Sequence, residues 1–168
     1  MGRNGSVGYV EMGQRLTNTT RLVVPSASSF AVRAVMKGNR KSDTKPETRL
    51  RSRLHADGLR FRKQYPIATA AGVVRVDIAF PHLHLAVFVD GCFWHCCAIH
   101  GTQPTTNSDY WQEKLRRNVL RDKRNTETLV AAGWRVLRIW EHTDVAAAAD
   151  SVQREVRRLR SSGGHKNE

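Results

Sequence analysis

Beyond residue 40, the spacing of apolar positions divides the chain into seven segments, each with its own period. Asp43-Thr44-Lys45-Pro46-Glu47 has the residue types that start a helix. Asp43 or Thr44 supplies the cap, Pro46 fits the first turn, and Glu47 sits near the positive end of the helix dipole. This helix is predicted to run to about Asp57 and stop at Gly58, with Leu50, Leu54 and Leu59 as its buried stripe. Phe61 to Tyr65 predicts a short strand, followed by a loop through Ala70-Ala71-Gly72. Val73 to Phe80 is a second strand, broken at Pro81. His84 to Val89 is a third, almost wholly apolar, as a sheet covered on both faces requires. Tyr110 to Ala132 predicts a long basic helix with Trp111, Leu115, Val119 and Leu129 at helical spacings and Gly133 as its stop. Trp134 to Trp140 reads as a fourth strand, and Val145 to Arg160 as a closing helix. The order α-β-β-β-α-β-α predicts an α/β fold, a mixed sheet flanked by helices.

Length and composition narrow this picture. A chain of 168 residues with 40% hydrophobic content suits one domain with a real core. Residues 1–30, rich in Gly, Ser and Thr, predict a flexible N-terminal extension; 31–160 form the domain, and 161–168 a flexible tail. No stretch approaches the ~18 apolar residues of a membrane span. Nor is there the compact apolar run of a targeting peptide, so a cytoplasmic monomer is expected. The 28 Lys and Arg outnumber 15 Asp and Glu, for a net charge of +13. That excess favours a polyanionic partner, because each cation placed near a phosphate releases condensed counterions. The competing reading is a solvated basic surface.

The chemistry concentrates in Asp90-Gly91-Cys92-Phe93-Trp94-His95-Cys96-Cys97-Ala98-Ile99-His100. All three cysteines fall within six residues, an odd number that suits metal better than a disulfide framework. Cys92, Cys97 and His100 can wrap one ion, and thiolate with imidazole favours Zn²⁺. Cys96 cannot easily join the same tetrahedron as its neighbour, whereas His142, past the fourth strand, can close it. Buried free thiols are the plainer alternative. Asp77 is a lone carboxylate inside an apolar strand, so it needs a cation, a metal or water. A salt bridge to Arg75 is one answer; a Mg²⁺ site, with Asp90 beside it if the strands pair, is the other. His95 titrates near neutral pH and is a candidate acid or base. Phe93, Trp94 and Trp111 are either core or stacking wedges against bases. Arg116, Arg117, Arg121 and Lys123 of the basic helix would then contact phosphates.

Together these residues resemble the very-short-patch-repair (Vsr) family of DNA mismatch endonucleases. The resemblance covers about residues 36 to 142. It rests on Met36-Lys37-Gly38-Asn39-Arg40, Asp43-Thr44-Lys45-Pro46-Glu47, Val76-Asp77 and Phe88-Val89-Asp90-Gly91-Cys92-Phe93-Trp94-His95. Tyr110-Trp111, Asn118-Val119-Leu120-Arg121-Asp122 and Gly133-Trp134-Arg135-Val136-Leu137 continue it in order. The resemblance implies a restriction-endonuclease-like core, a structural zinc, and Mg²⁺-dependent nicking 5′ to the thymine of a T:G mismatch left by deaminated 5-methylcytosine. By position it makes Asp77 the metal-binding aspartate, with a backbone carbonyl from Val89. It places His95 near the scissile phosphate, Glu47 in support and Asp122 as the group that orients His95. Cys92, Cys97, His100 and His142 fall at or near its zinc positions, and Phe93, Trp94 and Trp111 at its inserted aromatics. Contacts with other mismatch-repair proteins are a further expectation. The chain departs from the best-studied pattern at Asp90, where a histidine is usual, so a second metal ligand is expected there. The loop near His100 differs in length, and the N-terminal extension has no counterpart.

Three functions therefore compete: a mismatch-nicking endonuclease, a related nuclease of relaxed or different specificity, and a zinc-stabilised module that binds lesions without cutting. Asp77 with Asp90 favours an enzyme, since carboxylates facing phosphates only repel unless a cation intervenes.

Overall fold

A computed structural model describes residues 42–102 and 104–163; the extension expected at 1–30 and the Met36–Arg40 motif lie outside them. Among the described residues the elements follow the predicted order. They are α1 (Lys45–Ala56), β1 (Arg62–Thr69), β2 (Gly72–Phe80), β3 (Leu85–Asp90), α2 (Ser108–Ala131), β4 (Arg135–Trp140) and α3 (Val145–Gly163). A 3-10 turn at Pro81–Leu83 joins β2 to β3. The strands lie in the order β1-β2-β3-β4, antiparallel up to β3 and parallel between β3 and β4. A parallel pair needs a long crossover, and α2 supplies it. The last helix runs three residues past the expected Arg160, to Gly163.

Two apolar layers sandwich the sheet. On one face Leu50 and Leu54 of α1 and Ala149, Val152 and Val156 of α3 pack on Ile78, Leu85, Val87 and Ile139. On the other, Leu129 of α2 meets Ile67, Val76, Ala79, Ala86 and Phe88. Leu85, Ala86 and Val87 are all fully buried, which explains the unbroken apolar run of β3. At the start of α1 Thr44 holds the cap position, but its hydroxyl donates to Glu47 instead of accepting from the helix. The Glu47 carboxylate also accepts the backbone N–H of Asp43, the residue before the cap, and so ties the incoming chain to the first turn of the helix.

Two expectations need correction. The first strand does not end at Tyr65 but runs to Thr69, through Pro66; β1 is an edge strand, where a missing N–H is tolerated. Val119 is 42% exposed and not part of the buried stripe of α2. The inner face of that helix is apolar only near its ends, at Leu115 and Leu129, and its middle is given to Asn118, Asp122 and Thr126. The faces of β1 and β2 also depart from simple alternation. Val74 and Val76 pack toward α2, yet Ile78 and Phe80, of the same parity, pack toward α1 and α3. Tyr65 of β1 and Phe61, just before that strand, divide in the same way. Both strands change faces at one place, where Gln64 lies opposite Asp77 between the pairs Lys63↔Ile78 and Tyr65↔Val76. Gln64 has a φ of +47°, and that left-handed residue breaks the period-2 pattern.

Candidate active site and metal centre

The parallel register of β3 and β4 pairs Asp90 with Trp140, so Cys92 and His142, each two residues further on, leave the sheet at one edge. Turn bonds from Cys97 N–H to Cys92 O and from Gly101 N–H to Cys97 O wind the intervening loop. The ligand atoms of Cys92, Cys97, His100 and His142 all lie within 4.8 Å of one another. Cys92 Sγ is 3.0 Å and Cys97 Sγ 3.8 Å from His142 Nδ1. Tetrahedral zinc bonds of about 2.3 Å to sulfur and about 2.05 Å to nitrogen place such atoms about 3.6 Å apart, so the donor set and spacing fit that ion. Cys96 turns outward at a φ of +53° and stays exposed. Without metal, burial and then the adjacent Cys97 push the Cys92 thiol up to about 11. Burial also works against Cys97, but backbone bonds from His100 and Ile99 hold it below its ordinary value.

On the other side of the same loop lies a cleft of about 1150 Å³ lined by Glu47, Asp77, Val89, Asp90, Trp94, His95 and Asp122 among others. Past the pair Ile78↔Val87 the β2–β3 ladder stops, and the Asp77 side chain takes over the lost pairing. Its Oδ2 accepts the Val89 N–H at 2.9 Å, and its Oδ1 accepts from Gln64 Nε2 at 3.2 Å. Arg75 is not its partner; that guanidinium donates to the Gln64 carbonyl. Burial above all, with Glu47 and Asp90 nearby, raises Asp77 to about 6 despite those hydrogen bonds. A desolvated carboxylate beside further carboxylates suits a hard divalent cation. Asp90, 5% exposed, stands beside it as expected, but Arg138 engages both of its oxygens at 2.6 Å. His95 Nδ1 lies 2.5 Å from Asp122 Oδ2 and 3.7 Å from Asp90 Oδ1. Burial disfavours the Asp122 charge, yet the His95 bond, with Arg138 and Arg121, pulls its pKa below the usual range. Glu47, 4% exposed, is held by Arg51, Thr44 and Gln64.

The aromatic residues gather at the rim. Phe93, Trp94 and Trp111 pack with ring centroids 4.9 to 6.0 Å apart, none of them fully buried. Lys114 lies over Trp111 at 4.8 Å and over Trp94 at 5.3 Å, an arrangement favoured by the negative ring faces. Of the cations singled out on α2, Arg116 and Arg117 both bind Glu113, Arg121 approaches Asp122, and Lys123 approaches Glu127. Only Arg121 of these lines the cleft, together with Lys114 and Asn118. Sequence reasoning did not find Gln64, Lys114, Asn118 or Arg138. Arg138 had a signal, a cation alternating into an apolar strand; Gln64 and Asn118 act through neighbours distant in sequence, and Lys114 through Trp94 as well as the nearby Trp111.

A mixed sheet flanked by helices, with a carboxylate-bearing cleft and a Cys/His cluster that could hold a metal ion, defines an α/β protein with a candidate metal centre. Comparison with known proteins gives the particular family. Residues 29–100 match the family model described as DNA mismatch endonuclease Vsr. The chain is 52% identical over 118 residues to the type II nicking enzyme V.NaeI of Lentzea aerocolonigenes, covering 70% of this chain and 71% of that one. It is 41% identical over 114 residues to the type II nicking enzyme V.XorIIP of Xanthomonas oryzae pv. oryzae, 65% of this chain and 78% of the relative. Identity to the DNA mismatch endonuclease Vsr of Escherichia coli is 41% over 101 residues, 59% and 62% of the two chains. The chain belongs to the Vsr family and is a DNA strand-nicking endonuclease. No helix among the described residues is long and apolar enough to cross a membrane.

Proposed function

We propose that the protein nicks one strand 5′ to the thymine of a T:G mismatch, using Mg²⁺ at Asp77 and a structural zinc at Cys92, Cys97, His100 and His142. The observation that carries this is a single cleft lined by Asp77, His95 and Trp94 together, so a base-stacking group and the reacting groups face one substrate. Asp77 and the Val89 carbonyl would hold the Mg²⁺, and Asp90 would add only the lone pairs that Arg138 leaves. When bound, that ion supplies Lewis-acid stabilisation of the phosphate. Asp122 fixes the His95 ring through Nδ1 and leaves Nε2 to exchange a proton with the attacking water or the leaving oxygen. Glu47 holds the cap of α1 against the cleft and keeps its field negative. Phe93, Trp94 and Trp111 press on the base step, which opens more easily at a wobble pair than at a matched one. The restriction-endonuclease-like core and the zinc loop then serve as scaffold, holding Phe93, Trp94 and the His95 imidazole on one turn against Trp111 of α2.

Labelled duplexes containing T:G, T:A or C:G at one position, incubated with Mg²⁺, test the reading. The expected product is a single nick 5′ to the mismatched thymine, with the matched duplexes left whole. Equal cutting of all three would replace it with a nuclease of relaxed specificity.

A further inference from the structure

Gln64 is the one non-glycine strand residue with a positive φ among the described residues. Glutamine has no special tolerance for that region, so the conformation costs free energy and something must hold it. The Arg75 guanidinium holds the backbone, donating to the Gln64 carbonyl at 2.8 Å. The side chain then does what an ordinary strand residue could not. Its Nε2 reaches Glu47 Oε2 at 3.3 Å and Asp77 Oδ1 at 3.2 Å, donating one hydrogen toward each.

We propose that Gln64 is the positioning residue of the cation site: its amide clamps the Glu47 and Asp77 carboxylates in place, and its left-handed backbone aims the clamp. This rests on the reading of Asp77 as the cation's ligand. A neutral donor is the required type. Two like charges need a hydrogen-bond bridge to stay close, but a lysine would discharge them and remove the attraction for a divalent ion. The amide satisfies one oxygen of each carboxylate and fixes how it is turned, while the Val89 N–H fixes Asp77 from the other side. Pre-set donor groups bind a cation more tightly, since less ordering remains to be done on binding.

Two substitutions separate the amide from the strain. Gln64→Gly removes the amide and relieves the backbone, because glycine occupies positive φ freely. Gln64→Met keeps the length and the strain but donates no hydrogen bond. Ca²⁺ is titrated calorimetrically into each full-length protein on a T:G duplex, beside thermal melting and the Mg²⁺ dependence of nicking. Both variants are expected to bind Ca²⁺ at least fivefold more weakly and to need proportionately more Mg²⁺ for half-maximal nicking. Gln64→Gly should melt no lower than Gln64→Met. Unchanged Ca²⁺ affinity in either variant would overturn the proposal, as would failure of both to fold, which would make the residue structural. Asp77→Asn is the control. If it binds Ca²⁺ as the parent does, the cation site itself is misplaced and the proposal falls with it. If it loses Ca²⁺ while the Gln64 variants do not, only the role of Gln64 fails.

Discussion

Asp90 and Arg138 form a two-bonded pair at the wall of the cleft, the carboxylate buried and the guanidinium half-buried. Removing one partner of such a pair leaves a buried charge and typically costs about 3–5 kcal/mol. Arg138→Met should therefore lower stability to urea by that amount, and the double variant Asp90→Asn/Arg138→Met should recover much of it. An additive loss in the double variant would show that the two act separately. Asp77 is poised the opposite way. Its rise from 3.8 to about 6 means that the folded state prefers the protonated acid. Its neutral form adds stability in full below about pH 4, and that contribution fades as pH rises through 6. At pH 8 the ionised group costs something on the order of 3 kcal/mol. In buffer without divalent ions, Asp77→Asn should thus melt above the parent at pH 8, with the gap closing by pH 4, while nicking is abolished. A gap independent of pH would remove the charge from the explanation. Both aspartates were legible in the sequence because a carboxylate in an apolar run demands a partner. The partners were not: Gln64 and Arg138 meet them across strands 13 and 48 residues away.

Among the helices and strands, order and type followed from periodicity, and the metal loop from cysteine spacing. The change of faces in β1 and β2 did not. Val74, Val76, Ile78 and Phe80 alternate without a fault, yet they fall in different layers, and the change lies opposite the positive φ of Gln64 on the neighbouring strand. The middle of α2 misled for a related reason, because its inner face serves the cleft where a simple amphipathic helix would serve the core. The metal loop and its rings carry two expected outcomes. One zinc per chain should co-purify, and Cys97→Ser should lose it together with several degrees of melting temperature, because the proposed ion would tie the loop after β3 to the end of β4. Metal analysis finding none in folded protein would refute that. Trp94→Ala should narrow the difference in affinity between T:G and T:A duplexes more than it lowers affinity overall. Equal losses on both would show that the ring only packs against Phe93 and Trp111.

Across the molecule as a body, a charge of +13 pointed to a polyanion without saying where it sits. The ion pairs of α2 show that much of its charge is internally balanced, Glu113 being held down to about 2 by Arg116 and Arg117. Arg121→Ala should weaken matched and mismatched duplexes alike and flatten the dependence of log K on log salt by about 0.9 for each phosphate no longer neutralised. An unchanged slope would place Arg121 off the DNA. The cleft sets both signs side by side: Glu47, Asp77, Asp90 and Asp122 line it together with Lys45, Arg75, Lys114, Arg121 and Arg138, and Arg138 already engages both oxygens of Asp90. On the proposed reading, the Asp77 carboxylate would hold the scissile phosphate off until a divalent cation joined the two, while the neighbouring cations could grip any duplex. Holding DNA and cutting it would then be separate acts, the second waiting on a small ion that the first does not need.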